Sequence, residues 1–138
     1  MAIPITKFFE KRLSAPLKNP MWSWGAIRND GVVFLRVWQH ENYKEGNRRY
    51  KRVTWHEKHV DREANYGYPE RLEHIKLVRA GAPCYLVVCK AKDTNIIPRT
   101  IESFIDDVFV AGELKELDGD TWIEIKDRMS ADDIKPNG

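Results

Sequence analysis

The stretch Trp22-Ser23-Trp24-Gly25-Ala26-Ile27-Arg28-Asn29-Asp30-Gly31-Val32-Val33-Phe34-Leu35-Arg36-Val37-Trp38-Gln39 decides the fold class. Its two arms, Trp22 to Asn29 and Val32 to Gln39, are rich in aromatic and β-branched residues, and Asp30-Gly31 between them suits the positive φ angles of a tight turn. A β-hairpin follows. Its register stays open between two readings, because a slip of one residue sends every side chain to the other face. A two-residue turn sets Ile27 opposite Phe34. Trp22, Trp24 and Ala26 then join Val33, Leu35 and Val37 in the core, and Gly25 forms a small hollow beside Arg36 and Trp38. A three-residue loop sets Ala26 opposite Phe34 and gathers Trp22, Trp24, Phe34, Arg36 and Trp38 on one aromatic, cationic face. Arg36 and Trp38 share a face either way.

Working outward, Thr6 to Leu13 predicts a helix burying Phe8, Phe9 and Leu13, broken by Pro16 and Pro20. Beyond the hairpin, His40 to Asn47 reads as a polar loop, Tyr50 to Trp55 as a third strand and His56 to Tyr68 as a long loop. Pro69 opens a helix carrying Leu72, Ile75 and Val78, and Gly81 is placed to close it. Cys84 to Ala91 is an almost unbroken apolar run of strand length, the mark of a strand buried on both faces at the centre of a sheet. Thr100 to Ile105 suggests a short helix. Val108 to Leu117 and Thr121 to Lys126 predict a second hairpin around Asp118-Gly119-Asp120. Two hairpins around one firm helix do not make the regular alternation of a doubly wound fold. The expected class is α+β, a small curved mixed sheet or open β-barrel with two or three helices.

The 138 residues suit one domain, expected over residues 1–129 with a loose tail over 130–138, and a 42% hydrophobic share supplies one core. No run approaches the roughly 20 apolar residues of a membrane span, so no membrane partner is expected and the reading is cytoplasmic. Cys84 and Cys89 would point to opposite faces of one strand, which rules out a disulfide between them and fits buried thiols in a reducing compartment. Phosphate-cradling glycine loops, dinucleotide fingerprints and nucleophile elbows are missing, and no cofactor is expected.

The net charge of +2 conceals an asymmetry. Residues 1–60 hold twelve Lys/Arg against five Asp/Glu, and residues 61–138 hold eleven against sixteen. A basic first half points to a polyanion partner. It also holds four of the five tryptophans, Trp22, Trp24, Trp38 and Trp55. Indoles interleaved with cations are what base stacking plus phosphate neutralisation require. Lys44, Arg48, Arg49, Lys51 and Arg52 form the densest cationic run and are the expected contacts to a nucleic-acid backbone. Alternation from Tyr50 would place Arg52 on one face of the strand and Lys51 on the other.

Two rival chemistries deserve statement. Glu124-Ile125-Lys126, with Asp107, Asp118 and Asp120 upstream, resembles the acid-x-Lys arrangement of Mg²⁺-dependent nucleases, in which carboxylates hold the metal and the Lys steadies water or phosphate. Simple cross-strand pairing describes the same residues. His56 and His59 beside Glu57 and Asp61 could form part of a metal cluster, although their spacing is not His-Glu-x-x-His. The third class is a non-catalytic, phage- or restriction-related interaction protein with all its tryptophans in the core.

Asn65-Tyr66, a helix with Arg71, Leu72 and Val78, then Gly81 and the strand Tyr85-Leu86-Val87-Val88, resembles in order the EVE branch of the PUA-like superfamily. Trp22 to Ala26 and Phe34 to Trp38 are similar to modules attached to modification-dependent HNH-type restriction endonucleases, although no HNH portion is present. PUA-like domains of the EVE, YTH and SRA kinds are curved sheets that hold one base, often flipped and methylated, in an aromatic pocket. The resemblance implies a reader of a modified base, with methylated cytosine in DNA the expected target. On this reading, Trp38 and one of Trp22, Trp24 or Trp55 stack the base near Arg36. Asn65, Tyr68 and Arg71 border the pocket by analogy.

Overall fold

The computed structural model describes residues 4–18, 23–54, 67–92 and 101–134. Asp30 sets the geometry of the first hairpin. Its carboxylate accepts hydrogen bonds from Arg28 Nε (2.9 Å) and from the Val32 amide (3.3 Å). That local bonding holds the chain in a three-residue loop, closed by the Arg28 amide donating to Val32 O at 2.8 Å, with Gly31 alone at positive φ (+88°). Strands β1 (Gly25–Ile27) and β2 (Val33–Trp38) therefore pair Ala26 with Phe34 and Gly25 with Leu35. The loop has three residues, and along β2 the side chains of Phe34, Arg36 and Trp38 share one face, while Trp24 stands just before β1.

Cys84–Ala91 forms β5, which lies between β2, its parallel neighbour, and β7 (Asp107–Leu117), its antiparallel one. Its apolar run is explained by burial on both sides. Leu86 and Val88 pack with Val33, Leu35, Val37 and Ile123 in one cluster; Val87 and Cys89 pack with Phe8, Phe9, Leu13, Phe34 and Val108 in the other. Cys84 and Cys89 are free, buried, and on opposite sides. The eight-stranded sheet runs β1-β2-β5-β7-β8-β4-β3, with β3 (Asn42–Glu45), β4 (Arg48–Arg52) and β8 (Asp120–Ser130), while β6 (Ile101–Phe104) pairs with β5 off that path. The protein is thus a mixed α+β molecule built on one open, curved sheet. Among the described residues, no helix is long and apolar enough to cross a membrane.

The first cluster is roofed by α1 (Ile5–Lys7), which runs into a π-helical turn over Phe8–Arg12. The second is closed by α2 (Gly67–Arg79). Pro69 stands in its first turn, where a missing N–H is no loss. At the far end the Gly81 amide donates to Val78 O and the Ala82 amide to Leu77 O, both at 3.0 Å, a Schellman closure that needs the φ of +109° at Gly81.

Three sequence expectations are corrected. Asn42–Glu45, inside the expected polar loop, is a strand, because its four residues pair with Arg48–Lys51 around a positive-φ Gly46. Ile101–Phe104 is a strand rather than a short helix, pairing with Cys89–Ala91 across a bulge. The tail expected to be loose from Ser130 is ordered to Ile134: Ser130 ends β8, and Ala131 and Ile134 are buried in the first cluster, with Ile134 O accepting a hydrogen bond from Arg28 Nη1.

Candidate nucleic-acid interface

The curvature of the sheet brings β4 close to β2 without a ladder between them, and two buried cations cross the gap. Lys51 Nζ donates to Trp38 O (3.2 Å), Gln39 O (3.0 Å) and Asn42 Oδ1. Arg71, on α2, donates from Nη1 to Val53 O (3.0 Å) and from Nη2 to Trp24 O (2.8 Å) and Arg36 O. The planar guanidinium serves three carbonyls from three segments, a task no single apolar side chain performs. Burial pulls the Lys51 ammonium down to about 8, and burial with the nearby Arg36 charge pulls Arg71 down to about 10.

Beside Arg71 lies a small polar cluster. Ser23, fully buried, donates to Glu70 Oε2 at 3.3 Å. His74, one helical turn beyond Glu70, is 4% exposed, and its Nδ1 has no hydrogen-bond partner among the described residues. A Cβ at Gly25 would lie 2.4 Å from Phe34 O of the paired strand and 3.2 Å from that nitrogen, so β2 requires glycine here and the His74 ring packs tightly against the same spot. Burial and the Arg71 charge push His74 down to about 4, and burial raises the Glu70 carboxyl. The inner stripe of α2 is therefore Arg71, His74 and Ile75, two of them polar. Apolar periodicity through Leu72, Ile75 and Val78 does not reveal it.

The indoles divide. Trp24 and Trp38 are half-buried, with the Arg71 guanidinium 5.7 Å from the Trp24 ring centre. Arg36 lies alongside, its Nη1 donating to Ser23 O at 2.7 Å. Trp38 packs on the first cluster, with ring centres of Trp38 and His40 6.4 Å apart. Trp22, Trp55 and Asn65 lie outside the described residues, as do His56, Glu57, His59 and Asp61; Tyr68 is the second residue of α2, and its side chain is likewise not described. The fifth indole, Trp122, is buried under Arg52, whose guanidinium sits 4.9 Å above its ring.

The basic run is sorted by burial. Lys44, Arg48 and Arg49 are exposed, Arg52 is half-buried on Trp122, and Lys51 is 6% exposed. The backbone-contact role expected of Lys51 does not fit this placement, because its ammonium faces inward and is consumed by three oxygens. On the outer face, β4 pairs with β8, setting Tyr50 opposite Glu124 and Arg52 opposite Trp122. Tyr43, Tyr50 and Trp122 form an aromatic row with ring centres 6.0 Å apart from Tyr43 to each neighbour, and Lys115 Nζ lies 5.7 Å from both tyrosine rings while pairing with Glu45.

Two hollows flank the β3–β4 turn and share Asn47 and Arg48. One, of about 570 Å³, lies toward Glu113 and Lys115; the other, of about 470 Å³, lies toward Arg49, Glu124, Lys126 and Arg128. Register shifts in β7 between Phe109 and Leu114 let Glu124 tuck against the neighbouring strand, where its Oε1 accepts from the Glu113 amide at 3.3 Å. Gly112 makes this possible: a Cβ there would lie 2.3 Å from the same oxygen. Arg48 is held in turn by Glu113 (2.9 Å) and Glu124 (3.9 Å).

The acids of the nuclease pattern are dispersed. Asp107 pairs with Arg128 at 2.6 Å, Asp118 stands in the β7–β8 turn at positive φ, and Asp120 accepts from Thr54 Oγ1 at 3.1 Å. Among the described residues, no three His, Cys, Asp or Glu side chains gather as a metal would need. Arg128 and the Ser23–Glu70–His74 cluster went unseen in the sequence; the alternation of β8 would place Arg128 with Glu124 and Lys126, but nothing local foretells that β8 pairs with β4. Comparison with known proteins finds no matching family model, no matching curated protein and no matching solved structure, so the PUA-like resemblance rests on the residues alone.

Proposed function

We propose that this protein is a nucleic-acid-binding module of PUA-like type that reads one modified base, methylated cytosine in DNA, without catalysis of its own. The observation that carries the reading is the β1–β2 hairpin, along which Arg36 and a half-buried Trp38 share one face of β2 and a half-buried Trp24 stands at the mouth of β1 beside the Arg71 guanidinium. A half-buried indole beside a guanidinium can stack a base and offer hydrogen bonds to its edge. Flipping a base costs a few kcal/mol, and stacking at ~1–3 kcal/mol per base with backbone contacts offsets it. The exposed Lys44, Arg48 and Arg49 supply those contacts.

Tryptophan fluorescence and anisotropy with duplexes carrying methylated, hydroxymethylated or plain cytosine test the reading. Quenching and a preference of tenfold or more for one modified duplex are expected, with the preference lost in Trp38→Leu and reduced in Trp24→Ala. Equal affinity for all duplexes, or a preference that survives both substitutions in folded protein, would sink the pocket assignment.

A further inference from the structure

We propose that the hollow between the β3–β4 turn and the outer face of β8 is a phosphate site that holds the phosphodiester backbone of a nucleic-acid strand, with Arg48 and Arg49 on one wall and Lys126 and Arg128 on the other. It rests on the nucleic-acid reading above and redraws its backbone contacts, moving them off Lys51 and onto β8. Four cations line the hollow together with Glu124 and Asp127, while Glu113 and Asp107 pair with Arg48 and Arg128 from its edge, so the charge left uncompensated by an ion pair among the described residues is that of Arg49 and Lys126. Its volume of about 470 Å³ falls in the range of small-ligand sites, roughly 300–1,000 Å³.

The cations are of two kinds. Arg48 is clamped by Glu113 and Glu124, and Arg128 by Asp107, so both guanidiniums are fixed in place before any ligand arrives. Among the described residues, Arg49 and Lys126 make no ion pair, and both are exposed. Two oriented forks suit the bidentate geometry of phosphate oxygens, and two unpaired charges between them can follow successive phosphates. Glu124 is an acid at the centre of this hollow, yet it does not repel an anion as a free carboxylate would. Its Oε1 is turned onto the Glu113 amide and its Oε2 toward Arg48. The open strand surface favours a continuous backbone over a free nucleotide, since Phe109 is the one aromatic residue among those lining the hollow and its ring lies 5.9 Å from the Arg128 guanidinium.

Nitrogen-detected NMR of the arginine Nε–Hε groups, with inorganic pyrophosphate and then a short plain duplex as titrants, reads the site directly. The Arg48 and Arg128 signals are expected to shift with both. Lys126→Ala combined with Arg128→Ala should weaken plain duplex binding about tenfold at moderate salt and reduce the slope of log affinity against log salt by ~2. Lys126→Glu, a single change at an exposed position, should weaken it at least as much. Unmoved arginine signals with both titrants, or a double variant with wild-type affinity and slope, would overturn the site. Should the wild type bind no nucleic acid while pyrophosphate still shifts Arg48 and Arg128, the nucleic-acid reading falls and the hollow stands as a site for a free phosphate anion.

Discussion

Arg48 and Lys51 belong to the same five-residue strand and face opposite sides of it. Lys51 points inward and bonds two carbonyls and an amide oxygen across the gap in the sheet. Arg48 points outward, 54% exposed, between two glutamates at the rim of both hollows. Arg71 and Arg128 repeat the contrast on α2 and β8, one fully engaged with backbone oxygens and the other at the surface. Cations of one chemistry thus do two kinds of work here. The inner pair replaces a missing β-ladder, and the outer set reaches solvent, where an external anion can meet it. The pleat separates Arg48 from Lys51, and Arg49, on the Lys51 face but nearer the open end of the strand, stays exposed.

The largest effect should come from the inner side. Arg71→Leu removes the donor for three carbonyls at once, on Trp24 just before β1, Arg36 in β2 and Val53 just after β4. Chemical denaturation should show a loss of ~3–4 kcal/mol, the size of a broken buried network. A loss under ~1 kcal/mol would mean that the gap in the sheet closes by other contacts. Next comes acid. His74 ionises at about 4 when folded and near 6.5 in an unfolded chain, so the unfolded state takes up the proton first. Stability from this residue is whole above pH ~6.5 and drains as pH falls toward 4, by up to ~3 kcal/mol. His74→Gln should flatten that part of the profile; an unchanged profile in the variant would place the acid sensitivity elsewhere.

How much of this was readable beforehand follows from what is local. The Cys84–Ala91 strand, the Gly81 helix end and the second hairpin all rest on short-range rules; the first two appear where the pattern put them, and the hairpin does too except that β8 begins at Asp120 and runs on to Ser130, past the expected Lys126. The first hairpin register was undecidable from composition, because it turned on whether Asp30 would bond the Val32 amide and Arg28. Asn42–Glu45 looked like loop since it carries Asn, Lys and Glu; it is a strand because edge position and the Gly46 turn outweigh weak propensity. The inward course of Lys51 was half legible, since alternation separated it from Arg52. Which side was the inside depended on β4 pairing with β8, seventy-four residues away in the chain for Tyr50 and Glu124. Arg71 and His74 defeat any hydrophobic pattern, as a buried stripe made of an arginine and a histidine reads as solvent-facing until its carbonyl partners are in place.

The division of cations can be put to one direct comparison: the salt dependence of duplex binding by the wild type, by Arg48→Ala with Arg49→Ala, and by Lys51→Met, each confirmed folded. The exposed arginine pair should lower the slope of log affinity against log salt by ~1.8, while Lys51→Met should leave it where it was. An equal drop in Lys51→Met, or none in the arginine pair, would contradict the account.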